Sequence, residues 1–305
     1  GGAWDRAHLN IEKTADPEKV VFPSYYPDHP TTRHDWAQYL NTAMALDKKI
    51  GYVLELLERD GLAENTILIF FGDHGRAMIR GKQWPYDSGL HVPLIIRIPP
   101  RLESTRGYEP GSVNGQLIAS IDLTATSLSL AGIAPPKLMQ GRVFLGDNSA
   151  PPRRFVFGGR DRGDETVDRI RTSRDKRYRY IRNYYPERPF LQLNRYKEWT
   201  YPVLALMREL YEKGELDDVQ ARLMASTRPQ EELYDLESDH YEIRNLADST
   251  DHREVKQLLS TALDTWLQET NDQGRIAEPP DIPALWEARA KRNYESRPKK
   301  TIEID

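Results

Sequence analysis

Thr66-Ile67-Leu68-Ile69-Phe70-Phe71 is a continuous apolar run rich in β-branched and aromatic residues, and it stops at Gly72-Asp73-His74-Gly75. A run of this kind suits a strand buried on both faces of an α/β sheet. The Asp-His pair then stands at the strand's C-terminal edge, where ligands bind in open α/β sheets. The flanking glycines permit tight backbone turns beside a bound ion or anion. A carboxylate and an imidazole presented together can ligate a divalent metal. A turn aspartate next to a hydrogen-bonded histidine is the plainer alternative, and the local string leaves both open.

Upstream, residues 1–30 are rich in proline and charge and read as loop. A helix follows, with Thr31 or Thr32 as its cap and Trp36, Leu40, Ala43, Asp47, Ile50, Val53 and Leu57 recurring at three- and four-residue steps. All but Asp47 suit one apolar stripe, and Gly61 ends the helix. Downstream, a loop over 72–90 leads to a second buried strand at His91-Val92-Pro93-Leu94-Ile95-Ile96-Arg97-Ile98. Asp122 caps a short helix that runs through Leu130 to a stop at Gly132. This succession predicts an α/β class domain of three layers, α/β/α, over residues 1–150.

After about residue 150 the pattern changes. Residues 155–157, 167–172 and 178–182 read as shorter strands of alternating polarity, which fits an antiparallel sheet with one wet face. A helical segment over 198–224, a further strand at 232–236 and a helix over 252–270 complete a smaller α+β subdomain, 151–285. Residues 286–305 are highly charged and read as a surface helix fraying into a tail.

The formal net charge of -4 supplies no global basic field, so neither nucleic acid nor an anionic membrane is an expected partner. No apolar stretch is long enough to span a bilayer. The first residues carry no secretion signal, which leaves localisation open. The absence of cysteine excludes disulfides, thiolate metal sites and any nucleophile that begins as cysteine.

Lys82 follows Asp73 by nine residues in Arg80-Gly81-Lys82-Gln83-Trp84. Its ammonium can neutralise an anionic substrate or a charge developing on a leaving oxygen; a solvated loop lysine is the alternative. Arg76 and Arg80 in the same loop are candidate substrate-binding residues. So are Arg160, in Arg160-Asp161-Arg162-Gly163-Asp164-Glu165, and Arg188, in a second charged stretch, unless these clusters are self-satisfied salt-bridged turns.

Taken in order, these strings resemble the type I sulfatases of the alkaline phosphatase superfamily. Leu46-Asp47 and Ile50-Gly51 precede Gly61-Leu62, Asn65-Thr66 and Gly72-Asp73-His74-Gly75. Then come Gly81-Lys82, Tyr86-Asp87-Ser88-Gly89, Val92-Pro93-Leu94-Ile95-Ile96-Arg97, Asp122-Leu123-Thr124-Ala125-Thr126 and Leu130-Ala131-Gly132-Ile133. Glu232-Leu233-Tyr234-Asp235-Leu236 and Asn245-Leu246-Ala247 close the series. The segments 159–165 and 177–190 are similar to a bacterial carbohydrate-sulfatase branch.

The resemblance implies an alkaline-phosphatase-like sheet and hydrolysis of sulfate esters on a sulfated sugar. It implies Asp73 and His74 as metal ligands, and Lys82 as the group that contacts sulfate and assists the leaving oxygen. It implies Ca²⁺ first, with Mn²⁺ or Zn²⁺ suited to the imidazole, and a periplasmic or secreted setting. The family's nucleophile is a formylglycine from a Cys/Ser-x-Pro-x-Arg motif, and an early Asp-Asp pair completes its metal shell. Neither stands upstream of Asp73-His74, where the family carries them. The expectation is therefore the C-terminal part of such an enzyme, its N-terminal half on a separate chain or absent, with a sheet edge and apolar surface left open. Two other functions stay in play: a metal-dependent phosphoester or phosphonate monoester hydrolase, and a non-catalytic subunit that binds sulfated glycans.

Overall fold

The computed structural model describes residues 14–102 and 105–296. The loop expected over 1–13 and the tail expected over 297–305 lie outside the described residues. Helix α1 (Pro30–Arg59) starts on a proline, whose fixed φ and missing N–H suit a first helical position. Its cap is His29, whose Nδ1 accepts from the Thr31 amide at 3.1 Å. The expected caps Thr31 and Thr32 are instead inside the helix. Gly61, at φ +68, follows the last turn as anticipated. Thr32, Trp36, Ala37, Asn41 and Ala45 are buried, but Leu40 and Val53 of the expected stripe stand 38% and 48% exposed. Among the described residues, the buried side chains of the helix all lie within residues 31–45.

The apolar run becomes strand β1 (Leu68–Phe71), paired antiparallel with β2 (Leu94–Arg97) in the register Phe70 to Ile95. On one side Ile67, Leu94 and Ile96 pack on Ile98, Phe144 and Leu145. On the other, Ile95, opposite Phe70, is 61% exposed, and Phe71 at the strand tip is 46% exposed. Burial on both faces is thus not realised among the described residues, because one layer alone backs the pair. Between these strands lies the short helix α2 (Asp87–Leu90), and α3 (Ile121–Leu130) follows. Asp122 is not the cap of α3 but sits in its first turn. Its carboxylate accepts from the amides of Ala119 and Arg142 at 2.9 and 2.7 Å and pairs with Arg153.

The second sheet runs β3 (Val156–Gly163), β4 (Thr166–Arg174), β5 (Tyr178–Asn183), β6 (Glu231–Asp235), each neighbour antiparallel. The helical segment expected at 198–224 is three helices: α4 (Arg195–Thr200), α5 (Pro202–Lys213) and α6 (Asp218–Met224). Pro202 restarts the chain after α4, and left-handed Gly214 closes α5. Helices α7 (Arg253–Glu269) and α8 (Asp281–Glu295) complete the fold.

The expected wet face of this sheet is absent: β4 is buried almost throughout. Helix α7 lays Leu259, Leu263 and Leu267 on Tyr180 and Leu233 from one side. From the other, Ile170, Ile181 and Tyr234 join a cluster containing Tyr25, Tyr26, Trp36, Ile79, Trp84 and Tyr86. The alternating polar residues are therefore buried too and find partners, as Asp168 does with Arg228. That shared cluster seats the 72–90 loop against the four-stranded sheet.

Candidate functional site

Beyond the tip of β1 the chain turns sharply. The Gly72 amide donates to the Pro93 carbonyl at 3.1 Å, and the Gly75 amide to the Gly89 carbonyl at 2.9 Å. The loop is thus clamped to the entry of β2 and to α2. Asp73 and His74 are held between these two clamps, at the mouth of a cleft of about 710 Å³ that Arg76, Tyr25, Tyr39 and Tyr241 also line.

The Asp73 carboxylate is exposed, and His74 Nε2 lies 3.6 Å from its Oδ2. His74 Nδ1 lies 2.8 Å from the Gly75 carbonyl oxygen. A carbonyl only accepts, so Nδ1 carries a proton, and a neutral ring would then hold its lone pair on Nε2, toward the aspartate. One carboxylate oxygen and one imidazole nitrogen thus face each other in open space, a donor set that suits a divalent cation as half a shell. Among the described residues no group of three or more His, Cys, Asp or Glu could hold a metal ion. Asp73 and His74 could supply two ligands to a cation, whose other ligands would lie elsewhere.

Four further acidic or imidazole side chains line this cleft: Asp87, His91, His240 and Glu242. Asp87 lies 3.1 Å from His91 Nδ1 and pairs with Arg174 and Arg179 at 2.8 and 2.6 Å. Burial alone would raise its carboxyl, but these three partners hold it well below the usual carboxylate range. Glu242 is fully buried at φ +55, accepts from the Asp87 amide at 2.8 Å and meets Arg179 at 3.0 Å. Burial pushes its carboxyl up to about 7, against the opposing pull of Arg179 and Arg80. Asp87 lies within the Tyr86-Asp87-Ser88-Gly89 string, so the sequence held a signal for it. His240 and Glu242 are remote in sequence and carried none.

The other candidates separate. Arg76 lines the cleft, donating to the Tyr25 hydroxyl at 2.6 Å with its guanidinium 5.2 Å from the Trp36 ring. Arg80 turns inward between the rings of Tyr25 and Tyr86 and donates to the carbonyls of Tyr241 and Glu242 at 2.6 and 2.5 Å, so it braces the loop. Arg160 is buried over Trp84, 3.8 Å from Asp168. Arg188 pairs with Glu287 at 2.6 Å. Lys82 is not among the residues lining the cleft; its ammonium sits 5.3 Å from the Tyr196 ring centre. Arg80 and Gln83, on either side of it, adopt φ +59 and +77. Left-handed backbone at non-glycine residues is strained, and it brackets the lysine here.

The sulfatase family model matches residues 9–133, and the model for N-sulphoglucosamine sulphohydrolase, C-terminal, matches residues 72–231. An ulvan-active sulfatase of Formosa agariphila is 36% identical over 284 residues, covering 93% of this chain and 46% of its own length. The N-sulphoglucosamine sulphohydrolase of Homo sapiens is 25% identical over 281 residues, covering 84% of this chain and 52% of its own. The chain thus spans about half the length of these relatives. A putative sulfatase from Bacteroides fragilis superposes with a TM-score of 0.60 at 20% identity, over 88% of this chain and 51% of that one. A protein solved in complex with its substrate D-glucosamine-2-N,6-O-disulfate gives 0.55 at 20% identity, over 81% and 43%. At such identities the likeness is one of fold.

Proposed function

This chain belongs to the sulfatase family, and from that premise we propose that it carries one side of a site that hydrolyses a sulfate ester on a carbohydrate. The observation that carries the proposal is the Asp73–His74 pair, clamped at the strand tip and open to the cleft.

In this reading Asp73 and His74 are two ligands of a divalent cation, Ca²⁺ first. When bound, such an ion screens the sulfate oxygens and offsets charge in the transition state. His74 is set for the task by the Gly75 carbonyl, which fixes its tautomer. Arg76, held by the Tyr25 hydroxyl, faces the anion in the same cleft. Lys82 is the group that stabilises the leaving alkoxide. Its long flexible stem leaves the Tyr196 ring to do so, and the strained turn around it relaxes in the same movement. The nucleophile and the remaining ligands come from the N-terminal portion that the relatives carry. The uncovered faces of α1, β1 and β2 suit that partner. No helix of the described residues is long and apolar enough to cross a membrane. A sulfated polysaccharide substrate agrees with a periplasmic or secreted setting.

The test measures sulfate release from sulfated oligosaccharides and an aryl sulfate by this chain joined to that N-terminal portion, with phosphate monoesters in parallel. Asp73→Asn, His74→Ala and Lys82→Ala should each lower sulfate turnover by more than about tenfold. Preference for phosphate esters, or full activity in all three variants, overturns the reading.

A further inference from the structure

A separate hollow of about 520 Å³ opens between α4, α8 and the turn joining β3 to β4. Its size falls in the range of about 300–1,000 Å³ common for small-molecule sites. Three aromatic rings, Tyr196, Trp199 and Trp286, form its walls. Two guanidiniums lie against them: Arg195 at 4.4 Å from the Trp199 ring centre and Arg289 at 5.1 Å from that of Trp286.

The pairing of charges is unequal. Among the described residues neither Arg195 nor Arg289 meets a carboxylate, whereas Arg162, Arg188 and Arg208 close by are tied to Glu278, Glu287 and Glu198 at 2.6, 2.6 and 2.5 Å. The hollow's own acids are already engaged. Glu165 accepts from the Arg195 amide at 2.6 Å, and Asp164 accepts from Gln83 and Asn194 at 3.3 and 3.2 Å. Two stacked guanidinium forks therefore remain for an incoming anion. Stacking pre-orients them, which lowers the ordering cost of binding.

We infer that this hollow is a second binding subsite, taking a sulfated or carboxylated sugar unit next to the one being hydrolysed. The choice of a saccharide rests on the carbohydrate-sulfatase reading above. Apolar ring faces lie on the indoles, and the acidic substituents meet the guanidinium forks bidentately. Tyr196 links this subsite to the reaction loop, because the same ring that walls the hollow carries the Lys82 ammonium. A chain held in the hollow thus runs toward Lys82.

The test is an NMR titration of the full chain, following the indole N–H signals of Trp199 and Trp286, with a heparin-derived tetrasaccharide and with neutral maltotetraose. The sulfated probe should shift both signals saturably and maltotetraose should not. Arg195→Ala/Arg289→Ala, changed at two exposed positions, should weaken binding at least about tenfold, the loss of roughly 1.4 kcal/mol. Asp73→Asn should leave it unchanged. Equal binding of maltotetraose, or an unaltered affinity in the double variant, overturns the inference. Sulfate release by the chain joined to the N-terminal portion, without any response at these indoles, refutes the subsite alone. Binding here, with no sulfate release once the chain is joined to the N-terminal portion, supports the subsite and refutes the hydrolase reading alone.

Discussion

The amide of Gly75 donates to the carbonyl of Gly89 at 2.9 Å, and a Cβ added to Gly75 would fall 2.0 Å from the Ser88 carbonyl oxygen and 2.6 Å from the Gly89 Cα. Both neighbours are backbone and cannot give way cheaply. His74 owes its placement to this contact, since its ring is held by the Gly75 carbonyl. Gly75→Ala should therefore displace the Asp73–His74 turn. The expected outcome is sulfate turnover reduced at least about tenfold in the completed enzyme, with far-UV circular dichroism unchanged.

The pair of Asp168 and Arg228 is wholly buried, with Arg228 Nη1 at 2.9 Å from Asp168 Oδ2 and a second bond from Nη2 to Oδ1. Removing Arg228 leaves the Asp168 charge in the core, with Arg160 only at a longer 3.8 Å. Arg228→Met should cost about 3–5 kcal/mol in urea unfolding. Exchanging both residues for apolar ones should recover much of that loss.

Glu242 gives a pH dependence of definite sign. Its carboxyl is raised from 4.5 to about 7 in the fold. The native state therefore holds a proton that the unfolded chain has released, and stability falls as pH rises between those values. The favourable contribution is complete below pH 4.5 and lost through pH 7, a change of up to about 3 kcal/mol. Asp87 acts in the opposite sense and below its ordinary value, so it stays out of this window. Denaturant midpoints at pH 5 and pH 8 should differ in the native protein. The difference should shrink in Glu242→Gln.

Local signals were the legible ones. Thr66–Phe71 announces a strand, Gly61 a helix end and Gly72-Asp73-His74-Gly75 a turned acid–imidazole pair, because each depends on neighbouring residues alone. What covers a surface is non-local, and there the reading failed in both directions. Leu40, Val53 and Ile95 look like core and stand exposed, while the polar residues of β4 look solvated and are buried. The same limit applies to the site. Lys82 is near Asp73 in sequence but rests on Tyr196, more than a hundred residues away. Glu242 reaches the cleft from the far end of the chain through a left-handed turn that no short string advertises.

The central claim is that Asp73 and His74 grip a divalent cation together. Adding small amounts of Mn²⁺ to the isotopically labelled chain tests it most directly, since a paramagnetic ion broadens NMR signals nearest its own position even when bound weakly. The account predicts that the signals of Asp73, His74 and Gly75 broaden first, that Ca²⁺ restores them, and that Asp73→Asn abolishes the effect. Broadening that starts at other carboxylates, or that persists unchanged in both Asp73→Asn and His74→Ala, would contradict it.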